Sequence, residues 1–391
     1  TENPNLMFLG TDDGLYISFN AGGNWQKWTE GFPTVSTKDL VIHPREHDLV
    51  IGTFGRAAWV LDDIRPLRAL ATNNALLSKD IKLFASPTAY QAAYQQPTGS
   101  RFGADALYNA ENRKRGAMIT YYLKEGKKDM KKAKKADAKD EAKEEEGKAK
   151  EKRTGVQKKD SIQFNVYDGS RLIRTLKYKT PEKAGFHRVY WGMDEKGPDR
   201  PARKISTNKR ERGGTNVKPG NYKVTVDFGD HTDSTNVTVK TDPRLDVSLA
   251  SVNEVYEHNK QLEGYTQKAA DAVKQLVESK NLANKYAKEM KTLDEDKYKE
   301  EIKASKEIVK SIDSVVAVYI GKEDKRQGIT RNPEITVMQR IGNASFYVAT
   351  RKSGVTKTEK DLITYAKTAL EEALTKTNTF FSEQWSAYRK K

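Results

Sequence analysis

At 391 residues the chain is long enough for two to three domains, each with a core of its own. It holds no cysteine, which excludes a disulfide framework, a thiolate metal site and a cysteine nucleophile. Its 70 Lys and Arg against 54 Asp and Glu give a net charge of +16, yet Lys127 to Lys159 alone carries fourteen basic and eight acidic residues, so more than a third of the excess sits in one short segment. No run of eighteen apolar residues appears, so no membrane-spanning helix is predicted. The opening Thr1-Glu2-Asn3-Pro4 shows neither an initiator Met nor a signal-peptide pattern, and the expectation is a fragment of a longer, exported polypeptide.

Residues 1–66 read as six short strands: Leu6 to Leu9, Leu15 to Ser18, Trp25 to Trp28, Leu40 to Ile42, Leu49 to Ile51 and Ala58 to Leu61. Asp12-Asp13-Gly14, Ala21-Gly22-Gly23 and His43-Pro44 punctuate them, a spacing that suits a sandwich, a barrel or a propeller. The stretch Ser18-Phe19-Asn20-Ala21-Gly22-Gly23-Asn24-Trp25 fits the pattern S-x-(D/N)-x-G-x-x-W, with Ser18, Asn20, Gly22 and Trp25 at its fixed positions. This pattern is the Asp-box, a hairpin turn between the third and fourth strands of a propeller blade. The side chain of Asn20 is expected to bond turn amides, the glycines to permit positive φ, and Trp25 to pack inside the blade.

With "GTDDGLYISFNAGGNWQKW" and "DLVIHPREHDLVIGTFGRAAWVLDD", this region resembles the sortilin-like and xyloglucanase-like Asp-box (BNR repeat) β-propellers, especially large bacterial proteins described as glycosyl hydrolases. The resemblance covers about the first 65 residues. Two positions depart from it: Asn20 replaces the usual Asp, and Ala57-Ala58 stands where a Gly often precedes the aromatic. The family implies a propeller followed by an immunoglobulin-like domain and a helical segment. Six strands make about one and a half four-stranded blades, whereas a closed propeller has at least four blades, so the remaining blades are an expected partner, in the same polypeptide or a separate chain.

Residues 67–115 show no sustained period and read as a connector. Residues 116–243 read as an immunoglobulin-like β-sandwich with strands near Met118 to Leu123, Ser161 to Tyr167, Leu172 to Leu176, Phe186 to Trp191, Tyr222 to Phe228 and Asn236 to Thr241. Its Lys/Glu-rich insertion at 126–159 buries too little apolar surface to order and is expected to be disordered. A second basic loop runs from Asp194 to Lys218. From 244 to 391 the period becomes helical, with a capping box at Ser251 and Glu254 and another at Thr356 and Glu359, and four amphipathic helices predict an antiparallel bundle. The fold class is thus multidomain, β then α: partial propeller blades, sandwich, C-terminal bundle.

Chemistry is sparse. Asp12-Asp13 and Asp62-Asp63 are the carboxylate pairs of the opening region, and both read as turn or strand-end residues rather than a glycosidase pair. In the family the catalytic aspartates belong to earlier blades, so no catalytic residue is assigned. His43 and His47 have i, i+4 spacing, but Pro44 between them rules out a shared helix face, and no metal or cofactor is expected. Arg56 in "TFGRAAW" is a candidate for facing a propeller channel, the alternative being a pair with a nearby aspartate. Tyr90, Tyr94, Tyr108, Tyr121 and Tyr122 are candidates to stack on sugar rings, with packing as the simpler role. Phe380, Phe381 and Trp385 are a candidate apolar docking patch. Lysine interleaved with glutamate makes a poor nucleic-acid platform, and that class is disfavoured. The expected function is a non-catalytic scaffold or docking part of an exported propeller protein in the bacterial periplasm or on the cell surface, with envelope proteins or a glycan as partners. The alternative is an accessory portion of a glycoside hydrolase whose active site lies in other blades.

Overall fold

The structure, a computed structural model, describes residues 2–92, 113–127, 161–207, 210–323, 335–351 and 353–390. Within them, small and mainly antiparallel sheets are followed by a helical C-terminal part. The chain divides into two compact units, Thr1–Met193 with Pro219–Arg244, and Asp194–Lys218 with Leu245–Lys391.

The first unit opens with two three-stranded meanders. One is β1 (Met7–Thr11), β2 (Gly14–Ser18) and β3 (Gln26–Lys27); the other is β4 (Thr37–Ile42), β5 (Leu49–Thr53) and β6 (Ala58–Leu61). The six strands therefore divide three and three, rather than as one and a half blades. Alternation explains their faces: Phe8, Leu15 and Ile17 of the first meander join Leu40, Leu49, Ile51, Trp59 and Leu61 of the second in one core with Phe32 and Ile64. Fully burying side chains such as Leu15 and Leu49 stabilises by roughly 1.5–3 kcal/mol each. At Gly10 on β1 a Cβ would stand 2.8 Å from Thr37 Cγ2 and 2.9 Å from Thr37 O, so this close approach of β1 to β4 requires glycine.

The stretch read as a connector holds more structure than its weak periodicity shows. Helix α1 (Arg65–Thr72), with Pro66 in its first turn, sends Leu67 into the core beside Ile64, and Asn3 Nδ2 donates to Arg68 O at 2.9 Å. Strands β7 (Ile81–Leu83) and β8 (Ala89–Gln91) follow, and each joins a sheet built from distant residues. One sheet has the order β12-β9-β7, with β9 (Ala117–Leu123) and β12 (Gly185–Trp191). The other has β10 (Ser161–Asp168), β11 (Arg171–Lys179), β15 (Gly220–Phe228) and β16 (His231–Thr241) in the order β11-β10-β15-β16-β8, the last pair parallel. Phe164 faces Val226 and Val166 faces Val224 across β10 and β15, and all four are buried. The ring pairs Tyr121–Phe164 (5.4 Å) and Trp191–Tyr222 (5.3 Å) join side chains of the two sheets. Asp233 on β16 accepts from Lys82 Nζ at 2.7 Å and Leu83 N at 2.8 Å, which satisfies the open edge of β7. Beyond residue 127 the Lys/Glu-rich insertion lies outside the described residues, as do Tyr94 and Tyr108.

In the second unit, α2 (Leu249–Asp294) has 46 residues, about 69 Å at 1.5 Å per residue. Its N-cap is Ser248, whose Oγ accepts from Ser251 N at 3.1 Å, rather than Ser251 with Glu254. Glu254 instead accepts from Val355 N at 3.1 Å and pairs with Lys360 at 3.0 Å. Helices α3 (Lys299–Ile320), α4 (Val337–Thr350), α5 (Lys357–Thr379) and the short α6 (Ser386–Tyr388) complete the unit. Leu262, Val273, Leu276, Ile312, Val316, Ile341, Val348, Ala366 and Leu370 meet in its core, so the 3.6-residue stripes of the sequence face one another. Among the described residues no helix is long and apolar enough to cross a membrane.

At the start of α5, Glu359 has a fully buried side chain that accepts from Arg351 at 2.7 Å and from Thr356 N at 2.9 Å. The Arg351 guanidinium, then Thr356, push its carboxyl down to about 2. A folded-state pKa below the unfolded value of 4.5 contributes stability that is present above 4.5 and is lost as pH falls towards 2. Glu359→Gln should therefore lower the melting temperature at pH 7, and the gap to the parent should close as the scan moves from pH 5 to pH 2. A gap independent of pH would contradict this assignment.

Candidate functional site

The turn over Ser18–Trp25, which carries the S-x-(D/N)-x-G-x-x-W pattern, is built from local hydrogen bonds. Ser18 at the end of β2 is fully buried, and its hydroxyl donates to Asn20 Oδ1 at 3.0 Å while accepting from Gly22 N at 2.9 Å. Asn20 Oδ1 also accepts from Asn24 N at 2.8 Å, so one amide oxygen serves two donors of the turn. Ala21 and Gly22 take φ of 54° and 89°, and Ala21 N donates to Asn5 O at 3.0 Å, tying the turn to the chain entering β1. Trp25 differs from expectation. It is 39 % exposed and lies over the turn, within 3.7 Å of the position a Cβ at Gly22 would occupy, rather than inside the sheet. Ser18→Ala strands the Gly22 amide and should cost about 1–2 kcal/mol in a denaturant titration.

The two meanders present unequal faces. Their inner faces share the core described above, whereas the outer faces carry uncovered apolar side chains. On the first, Met7 and Leu9 are 43 % and 44 % exposed. On the second, Val41, Val50 and Val60 lie side by side in register across three strands, with Val41 and Val60 53 % and 57 % exposed. Successive residues of a strand point to opposite faces, so consecutive apolar residues such as Met7-Phe8-Leu9 and Leu49-Val50-Ile51 make both faces of each sheet apolar here.

Arg56 stands on the turn between β5 and β6, solvent-exposed, with Gly55 and Ala57 at φ of 86° and 55°. Its carbonyl accepts from Trp59 Nε1 at 3.0 Å. Asp62 and Asp63 follow β6 at its opposite end and take other partners: Asp62 pairs with Arg188 at 3.9 Å, and Asp63 with Arg65 at 2.6 Å.

Below this turn, acids and arginines gather. Asp63 N donates to Asp48 Oδ1 at 2.8 Å, and Arg113 lies 3.6 Å from Glu46 and 3.8 Å from Asp48. Burial pushes the Asp62 carboxyl above its ordinary range, against the pull of Arg113 and Arg188. Asp63 is fully buried at a φ of 49°, and one of its carboxylate oxygens has no partner among the described residues. His43 Nδ1 accepts from Glu46 N at 3.1 Å, while His47 Nδ1 meets Arg68 at 2.8 Å. The two imidazoles thus serve separate contacts, and among the described residues no group of three or more His, Asp or Glu is placed to hold a metal ion. Tyr121 is buried against Phe164 and does not offer a ring face to a ligand, whereas Tyr90 and Tyr122 are half-buried.

The C-terminal aromatics require a correction. Phe380 and Trp385 are 2 % and 9 % exposed and belong to the helical core, with Phe381 packed against it. The reason is a π-helical turn over Phe380–Trp385. Bonding i to i+5 widens the turn, so Phe380 and Trp385, five residues apart, both point inward. A 3.6-residue period would put them on different faces, so they form an interior pair and not a docking patch.

Sequence reasoning also missed how the basic loop Asp194–Lys218 is used. It forms a hairpin of β13 (Asp194–Lys196) and β14 (Gly213–Asn216) that lies on α2. Tyr256, Lys260, Glu263 and Gln267, spaced at i, i+4, i+7 and i+11, make a polar stripe along that helix. Tyr256 donates to Glu195 Oε1 at 2.6 Å, and Lys260 lies 2.6 Å from Glu263 and 3.3 Å from Glu195. Glu263 accepts from Thr215 N at 2.5 Å, and Gln267 from Asp199 N at 2.9 Å. The stripe was legible as spacing, but its partner lies in a loop whose composition signals only solvation. No protein-family model matches the chain, and no curated protein matches it.

Proposed function

We propose that residues 1–66 are consecutive blade sheets of a sortilin-like Asp-box β-propeller, and that the chain is a non-catalytic scaffold or docking part of a larger exported protein. The observation that carries this reading is the pair of sheets sharing one core while both outer faces, Met7 with Leu9 and Val41 with Val60, remain uncovered. Adjacent blades of a ring would cover them, one on each side. The turn bonds of Ser18, Asn20 and Gly22 support the same reading. The five- and three-stranded sheets with their shared ring contacts suit an immunoglobulin-like sandwich, and the helices an antiparallel bundle. A bacterial periplasmic or surface location follows from the resemblance alone.

The test compares amide exchange and methionine oxidation in this chain and in the same chain extended upstream to include further Asp-box blades. Slowed exchange across β1 and β4–β6, with protection of Met7, is the expected outcome. Equal rates in both would remove the reading. Hydrolysis of a polysaccharide by the extended polypeptide would favour instead an accessory role in a glycoside hydrolase.

A further inference from the structure

The solvent face of α4 stands apart from the rest of the helical unit. Val337, Ile341, Ala344 and Val348 turn into the core, which leaves Gln339, Gly342, Asn343, Phe346, Tyr347, Ala349 and Thr350 outward. No charged side chain is among these seven, with Arg340 half-buried at the edge, on a chain that carries +16 and in which 32 % of residues are charged. Phe346 and Tyr347 are 66 % and 48 % exposed, with their rings edge to face at 5.6 Å. One turn earlier, Gly342 leaves a notch: nothing lies within 4 Å of the point where its Cβ would be.

We propose that this face is a self-association surface, on which a second copy of the chain packs its own α4 antiparallel. The knob and the notch lie on one face, one helical turn apart. A two-fold axis midway between Gly342 and Phe346 therefore sets Phe346 of each copy over Gly342 of the other, the reciprocal contact that an isologous interface requires. Charge points to the same occupant. Two copies carrying +16 repel wherever lysine faces lysine, and a neutral aromatic face lets them meet without that juxtaposition. An anionic partner would gain nothing from it. A helix of 14 residues spans about 21 Å, so the contact covers on the order of 400 Å² per copy, half of what a stable interface buries. The dimer is accordingly weak and dissociates on dilution.

Sedimentation equilibrium of the chain over concentrations on the order of 10 µM to 1 mM tests this. The weight-average mass should rise towards twice that of the monomer, and more readily at high salt, because screening removes the repulsion of the net charge. Phe346→Lys and Gly342→Gln should each weaken association by at least about tenfold. Gly342→Gln should at the same time raise the melting temperature of the dilute monomer by about 2 °C, since glycine is a poor helix former at an exposed position. That opposite sign separates loss of the interface from loss of the fold. A monomer at every concentration, or association unchanged by both variants, would overturn the proposal. So would cross-linking from position 346 that captures only a different protein.

Discussion

Trp385→Ala should unfold the helical unit at markedly milder conditions than the parent, by about 3–5 kcal/mol or roughly 10 °C in melting temperature. The indole lies in the core, with the Tyr388 ring centroid 5.3 Å away and Phe381 at 6.5 Å, so truncation leaves a cavity that the helices cannot close without moving. The π-turn makes collapse harder, because Phe380 on the same turn is held by the core as well. Phe346→Ala on the exposed face of α4 provides the contrast and should change stability in dilute solution by less than about 0.5 kcal/mol. Chemical denaturation of both variants decides the matter. A Trp385 variant as stable as the parent would restore the exposed-patch reading that its burial opposes.

Lys260→Met is expected to be the second large effect. Lys260 sits between two carboxylates whose side chains are 6 % (Glu195) and 16 % (Glu263) exposed, and removing the ammonium takes this ion pair from both. Breaking a buried pair in this way costs several kcal/mol; with Lys260 itself 31 % exposed, water screens part of the loss, and about 2–3 kcal/mol remains. Replacing Glu195 by Gln in the same chain should recover part of it, since the two changes act on one contact. Burial disfavours the Lys260 ammonium, but hydrogen bonds and charge from Glu263 and Glu195 outweigh it and hold its pKa above the ordinary lysine value of 10.5. A raised pKa contributes stability in full below 10.5 and loses it as pH climbs through the folded value, so the parent and Lys260→Met should converge only in strong alkali. Hydrogen exchange at Thr215 gives a local readout, because its amide donates to the same Glu263.

The local features of the chain were legible from residue order. Alternation and Gly-rich turns place β1 to β6, and the spacing of Ser18, Asn20 and Gly22 anticipates bonds that span four residues or fewer. Helical stripes do the same for α2 to α5. The features that escaped are long-range. β7 and β8 have three residues each, too few for a period to show, and they exist because β9 and β16 offer edges far along the chain. The Ser248 cap was misplaced by three residues because Ser251 with Glu254 satisfies the same pattern, and Glu254 is drawn instead to Val355.

By itself the sequence determined the order of β and α regions, the turn chemistry of Ser18 to Gly22 and the apolar stripes, since each depends on residues within one or two turns of one another. Tertiary structure decided that 194–218 is fastened to α2, that Phe380 and Trp385 are interior, and that the outer faces of the two meanders are uncovered. These outcomes depend on which surfaces meet. Periodicity records that a side chain is apolar or charged, but only the folded chain determines which partner lies opposite and which face is left to water.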